Sequence, residues 1–286
     1  MGRPSAWVQT GKVAVIVPIV VVMLYPFVYI VAMSLASERA ASSGGFFPTE
    51  FSTAAYRAVL AGGVVTRAML VSAGITAVGT VLSLVFTAML AHGLTRTRDV
   101  PGSRAVLILV LCTMLFGAGM IPNYLLVKQL GLLDSYWSLI LPGLISAFNM
   151  IVVRNFFMGL PQEMFEAARI DGAGEWRIFT RIVLPLSKAV LAVIALFYAV
   201  GYWNTFFNAV LYISSPAKWP IQVVLNQYVL RGQALVDSTN VPGEALPPPQ
   251  TIQMAVIVIA TVPILLVYPF AQRFFTQGVL TGAIKA

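Results

Sequence analysis

The sequence predicts an all-α, polytopic membrane protein with six transmembrane helices and a cytoplasmic helix–turn–helix loop. Three observations predict it. Of 286 residues, 59% are hydrophobic and only 10% charged. Soluble proteins carry about 25% charged residues, so lipid must cover much of this surface. Six apolar runs approach the ~20 residues needed to cross a bilayer. The basic residues sit between those runs, where they set membrane orientation.

The first run, Val13–Leu35, follows Arg3 and Lys12, which look like the basic start of a signal peptide. It is longer than a typical signal core and no convincing cleavage site follows, so it reads as an uncleaved first helix. A long polar connection, Ala36–Arg67, leads to the second run, Ala68–Ala91. The third, Ala105–Val127, contains Pro122 and Asn123, which are expected to break it. The fourth, Trp137–Val153, is short, and reaches Phe157 if Arg154 snorkels. The fifth is Ala189–Ser214. A second long connection, Ser215–Gln250, ends in Pro247, Pro248 and Pro249 and precedes the sixth, Thr251–Gln272. Pro18, Pro26, Pro142, Pro263 and Pro269 fall inside runs, where kinks are tolerated. Both long connections are candidates for contact with an external partner. With a cytoplasmic N-terminus, 12 Lys and Arg fall inside and 6 outside. The expected topology therefore has both termini in the cytoplasm.

Missing parts exclude several functions. No phosphate-binding G-x-x-x-x-G-K-[ST] loop is present. None of the six runs contains Asp, Glu, Lys or Arg, whereas ion-coupled carriers use intramembrane ionisable groups. His92, at the cytoplasmic end of the second run, reads as an interfacial polar residue rather than a relay. One His and one Cys, Cys112, cannot form a His/Cys metal site. Ser72, Ser83, Ser138 and Ser146 have no charged partner in any run and read as packing hydroxyls. The basic residues form no patch of the kind that binds nucleic acid. Uphill transport would take its energy from another chain.

The segment Leu160–Pro185 reads LPQEMFEAARIDGAGEWRIFTRIVLP and is the most charged stretch. Pro161 can start a helix, with Gln162 and Glu163 in its first turn. Met164, Phe165, Ala168 and Ile170 give it a partly apolar face. Asp171-Gly172 is a helix-stop signal, and Gly174 adds a second flexible point. Trp176, Phe179 and Ile182 recur at three-residue spacing, a helical stripe. The expectation is a helix, a glycine turn and a second helix lying along the cytoplasmic face, with Pro185 at the start of the fifth span. Two readings stay open on these grounds: an interfacial amphipathic helix, or a surface for docking a protein. Glu163, Glu166, Asp171 and Glu175 roughly balance Arg169, Arg177 and Arg181, which suits the second.

The spacing resembles a known family. Glu166-Ala167-Ala168, then Gly172, Ile182 and Leu184-Pro185 reproduce the E-A-A, G, I, L-P pattern of the ATPase-docking, or coupling, loop of ABC importer permeases. The extension to Asp171-Gly172-Ala173 is typical of the carbohydrate-uptake branch. Met120-Ile121-Pro122-Asn123-Tyr124, Gly131-Leu132-Leu133-Asp134, Trp203-Asn204, Trp219-Pro220-Ile221-Gln222 and Tyr268-Pro269-Phe270 through Gly278 and Gly282 resemble its oligosaccharide and polysaccharide members. The shorter, maltose-importer-like permease is the most similar type. Lys188-Ala189 departs from the pattern, since relatives often carry a proline there.

The resemblance implies a single type I transmembrane domain over 1–286, in a bacterial cytoplasmic membrane. It implies a heterodimer with a second, homologous permease, two ATPase subunits that hold ATP and Mg, and an extracytoplasmic solute-binding protein. No cofactor or catalytic role is implied for this chain. Docking would fall to Glu166, Ala167, Ala168, Asp171, Gly172, Ala173, Trp176, Ile182, Leu184 and Pro185. The tail from Gly278 to Ala286 would also touch the ATPases. The solute would be a sugar, oligosaccharide or polysaccharide; another solute, or a non-transporting scaffold, are the alternatives.

Candidates for a substrate path are Asn149, Tyr198, Tyr202, Trp203, Asn204 and Asn208. Tyr198, Tyr202 and Phe206 would share one helical face, and Asn204 and Asn208 would stand four residues apart on the same helix. These polar groups either line a cavity or bond helix to helix.

Overall fold

A computed structural model of the chain describes residues 6–42, 47–95, 100–230 and 247–283. Among them there are helices and turns but no strand; one isolated bridge pairs Ala36 with Phe51. Arg3, Arg96, Arg98, Arg231 and Lys285, which count in the charge balance, lie outside the described residues, as do 231–246 of the second long connection and 284–286 of the tail.

Among the described residues, three helices are long and apolar enough to cross a membrane: Gln9–Ser34 within α1 (Ala6–Ser34), α4 (Val64–Gly93), and Pro249–Val267 within α15 (Pro249–Ala283). The number rises to five if two bent pairs each count as one span. Pro18 and Pro26 stay inside α1, and Pro263 and Pro269 inside α15.

Contacts divide the chain into two compact units. The first comprises 1–67 and 224–262. Here the connection after α1 folds into α2 (Glu38–Ser42) and α3 (Ala54–Ala61), burying Ala55, Ala58 and Val59. The Ser34 hydroxyl and the Tyr56 hydroxyl are 2.7 Å apart, tying α3 to the end of α1. No residue in the apolar window of α1 is buried within the chain. Its valines and leucines need lipid or a partner to cover them.

The second unit comprises 68–223 and 263–286. The expected third span is divided here. α5 (Ser103–Leu115) has 13 residues, about 20 Å of helix, short of a ~30 Å hydrocarbon core. α6 (Met120–Gln129) follows. The break lies before Pro122, not at it: Phe116 is extended and Gly119 has φ 84°. Pro122 stands in the first turn of α6, where a missing N–H costs nothing.

The fourth span is bent. α7 (Trp137–Ile140) runs into a 3₁₀ turn at Leu141–Gly143, and α8 (Ala147–Met158) restarts at 49° to that segment, capped by Ser146. α8 does continue through Phe156 and Phe157. Arg154 does not only snorkel, since its Nε donates to the Leu94 carbonyl at 2.8 Å.

The fifth span ends earlier than expected. α9 (Gln162–Ile170), α10 (Glu175–Ile178), a π-helical turn at Phe179–Val183 and α11 (Leu184–Leu186) precede α12 (Lys188–Trp203). The helix stops at Trp203 because Asn204 Nδ2 and Thr205 Oγ1 donate back to the Val200 and Gly201 carbonyls. α13 (Phe207–Tyr212) is separate. Phe206 therefore does not continue the face of Tyr198 and Tyr202, and Asn204 and Asn208 are not on one helix. α14 (Ile221–Leu230) closes the order before α15.

Candidate functional site

The helix–turn–helix expected over 160–185 forms. Pro161 stands at the N-cap of α9 and Glu163 in its first turn. The end of α9 explains the spacing of the Ala-Ala-x-x-Asp-Gly-Ala motif. Gly172 adopts φ 76°. Its N–H donates to the Arg169 carbonyl at 3.0 Å, and the Ala173 N–H to the Ala168 carbonyl at 2.9 Å. This is a Schellman cap, whose left-handed position favours glycine. Ala168 and Ala173, the two ends of the second bond, are both half-buried against the core.

The second arm begins at Gly174 and runs to Leu186. Its buried residues are Ile178, Phe179 and Val183. Of the expected stripe, Phe179 is buried and Ile182 half-buried against the core, whereas Trp176 is 65% exposed. The π-helical turn that follows has i→i+5 spacing, the separation of the buried Ile178 and Val183. Ser187 then bends the chain by 82° into α12. The loop is thus directly continuous with a helix of the bundle.

The loop has an inner and an outer face. Phe165, Ile178, Phe179 and Val183 are buried, with Ala168, Ala173, Ile182 and Leu184 packed behind them. His92, in the last turn of α4, stacks on Phe179 with ring centroids 4.9 Å apart. Its Nε2 lies 4.0 Å from Glu175, which Arg169 approaches at 3.7 Å from the first arm. A cavity of about 140 Å³ lies under the loop, lined by His92, Phe157, Gln162 and Phe165 among others. Glu166, Ala167, Asp171, Gly172, Trp176 and Pro185 face outward. The ten expected docking residues are therefore brought together on one loop but split between a surface set and a packed set.

The expected path residues separate. Tyr198 and Tyr202 are 6% and 7% exposed. Tyr198 OH lies 2.7 Å from Thr87 Oγ1 and accepts from the Ser146 N–H at 2.9 Å. Tyr202 OH lies 2.8 Å from Ser83 Oγ and donates to the Ile140 carbonyl at 3.3 Å. Asn149 and Trp203 are also buried. Asn204 and Asn208 are exposed, and Gln222 Nε2 donates to Asn204 Oδ1 at 3.3 Å. The serines behave as expected: Ser83 bonds across to α12, Ser72 accepts from the Ile221 N–H, and Ser138 donates back to the Ser135 carbonyl.

One cluster escaped the sequence. Asp134, at φ 57°, accepts at Oδ1 from the Ser214 and Ser215 N–H groups, 3.1 and 2.9 Å away. Lys218 Nζ donates to both its Oδ2 at 2.7 Å and its carbonyl at 2.6 Å. The Lys218 hydrogen bond, aided by those of the backbone, holds the Asp134 carboxyl below its ordinary value. Nothing in the local spacing pairs residues so far apart; only the Gly131–Asp134 motif hinted at this corner.

Residues 100–281 match the family described as binding-protein-dependent transport system inner membrane component. The chain belongs to that family. As such an inner-membrane component it is a transport subunit, not an enzyme. It is 47% identical over 267 residues to the polygalacturonan/rhamnogalacturonan transport system permease protein YtcP of Bacillus subtilis, covering 92% of this chain and 93% of that one. Protein LplC of the same organism is 49% identical over 266 residues, 92% and 90% of the two chains. Among solved structures, a chain of a bacterial ABC transporter involved in the import of the acidic polysaccharide alginate matches with a TM-score of 0.86. That chain is 31% identical, with 96% of this chain and 100% of the other covered.

Proposed function

We propose that this permease imports an oligosaccharide or polysaccharide and is driven by ATPase subunits that dock on the loop at 160–185. The observation that carries the reading is the loop itself. Its cap and its packed inner face make it rigid, its outer face presents Glu166, Asp171 and Trp176, and it is continuous with α12. A push on such a loop is passed to the bundle rather than absorbed. The sugar class is supported by the polysaccharide substrates in the names of a close relative and of the structural neighbour.

The assembly we propose is a heterodimer with a homologous permease, two ATPase subunits holding ATP and Mg, and an external solute-binding protein. The chain would lie in a bacterial cytoplasmic membrane as one transmembrane domain with both termini inside. Asn204 and Asn208, exposed at the end of α12 and on α13, are its best candidates for touching sugar. Tyr198, Tyr202, Trp203 and Asn149, the other path candidates, are buried.

The test replaces Glu166 with Trp in the assembled transporter. ATPase co-purification and substrate-stimulated hydrolysis should both fall several-fold. Unchanged assembly and stimulation would remove the docking reading. A ligand screen of the cognate binding protein tests the solute: binding only glycerol phosphate or peptides would replace the sugar reading.

A further inference from the structure

Tyr198 and Tyr202 stand four residues apart on α12, and their partners Thr87 and Ser83 stand four apart on α4. On a helix this spacing places each pair on one face. The result is a two-rung ladder of hydroxyl pairs, 2.7 and 2.8 Å long, entirely buried. Because the one hydrogen of Tyr202 points at the Ile140 carbonyl, Ser83 donates to it.

The same two hydroxyls hold the broken span. Ile140 is the last residue of α7 and Ser146 the N-cap of α8, so the tyrosines bond both lips of the interruption between them. Backbone groups freed inside a membrane need protein partners, and each lip receives one. The Tyr202 ring also sits close against α4. A Cβ at Gly79 would meet it at 2.8 Å, so only glycine leaves it that room.

α12 is the helix that leaves the docking loop across the 82° bend. We infer that the Tyr198–Tyr202 ladder is the linkage that carries movement of the loop, through α12, to α4 and to the interruption at Leu141–Ser146. The two tyrosines are positioning residues: they touch neither nucleotide nor, through their committed hydroxyls, solute. Hydroxyl pairs suit this task because they are directional, so α12 cannot turn without shifting its partners. The inference rests on the docking reading above.

The experiment uses the complete transporter in proteoliposomes with its binding protein and substrate. Tyr198→Phe and Tyr202→Phe each remove one hydroxyl and keep the ring. The expected result is normal ATPase co-purification and persistent ATP hydrolysis, with solute moved per ATP reduced at least threefold. Ser83→Ala and Thr87→Val remove the same rungs from α4 and should reproduce the defect. They also serve if a tyrosine variant fails to assemble. Combining Ser83→Ala with Tyr202→Phe should add nothing to Tyr202→Phe alone, which already removes the rung and the Ile140 bond. A transport-to-hydrolysis ratio unchanged in these variants, whatever their melting temperatures, would overturn the inference. Failure of the docking reading would look different, because the Glu166→Trp variant would then assemble and hydrolyse normally.

Discussion

Gly172 is a residue whose identity the backbone dictates. A Cβ there meets nothing within 4 Å, so space is not the constraint. The constraint is φ 76°, which costs an ordinary side chain about 1–2 kcal/mol. Gly172→Ala should lower the melting temperature of the purified permease, and Gly172→Asn, which tolerates this region, should fall between. Equal melting of all three would show that the cap is not strained. Asp134 makes a second prediction at this scale. Its folded pKa is depressed, so its contribution is full above the ordinary aspartate value and is lost as pH falls through the lower folded value. Asp134→Asn should therefore melt below the wild type at pH 7. The gap should close as the pH is lowered through the acid range, and a gap independent of pH would dismiss the Lys218 pairing.

Among the elements, the loop at 160–185 shows what was legible and what was not. Pro161 and Asp171-Gly172 marked the first arm because capping is local chemistry, readable within a few residues. The second arm was read in part: Phe179 and Ile182 of the expected stripe pack inward, but Ile178 and Val183 are five apart, a spacing that an α-helical pattern does not register. The same limit hid the stop at Trp203, where Asn204 and Thr205 turn their side chains back on the helix, and the tie from Asp134 to Lys218, which only the folded chain brings together. Spans were legible as apolar runs, but their interruptions at Phe116–Gly119 and Leu141–Ser146 depend on which backbone groups find partners. The two faces of the loop predict opposite phenotypes. Ile178→Ala empties a fully buried site and should cost about 2–5 kcal/mol, seen as faster proteolysis of the loop. Trp176→Ala should leave proteolysis unchanged and weaken ATPase co-purification. The reverse pattern would exchange the roles of the two faces.

At the scale of the whole molecule, the question is which surfaces meet water on which side. The exposed apolar surface of α1, with Val13, Val21, Val22 and Phe27 each more than half exposed, has no cover among the described residues. A bilayer or a second permease must supply it. The charge balance of 12 basic residues against 6 supports the proposed orientation, in which Glu163 is cytoplasmic and Glu50 external. Both side chains are exposed, and the single native thiol, Cys112, can be removed by Cys112→Ala. In that background, Glu163→Cys should react with an impermeant maleimide only in inside-out vesicles, and Glu50→Cys only in right-side-out ones. An odd number of crossings between the two positions is the only way to obtain that result. Labelling of position 163 from the outer side would place the loop away from any cytoplasmic ATPase, and labelling of both from the inner side would overturn the odd number of crossings between them.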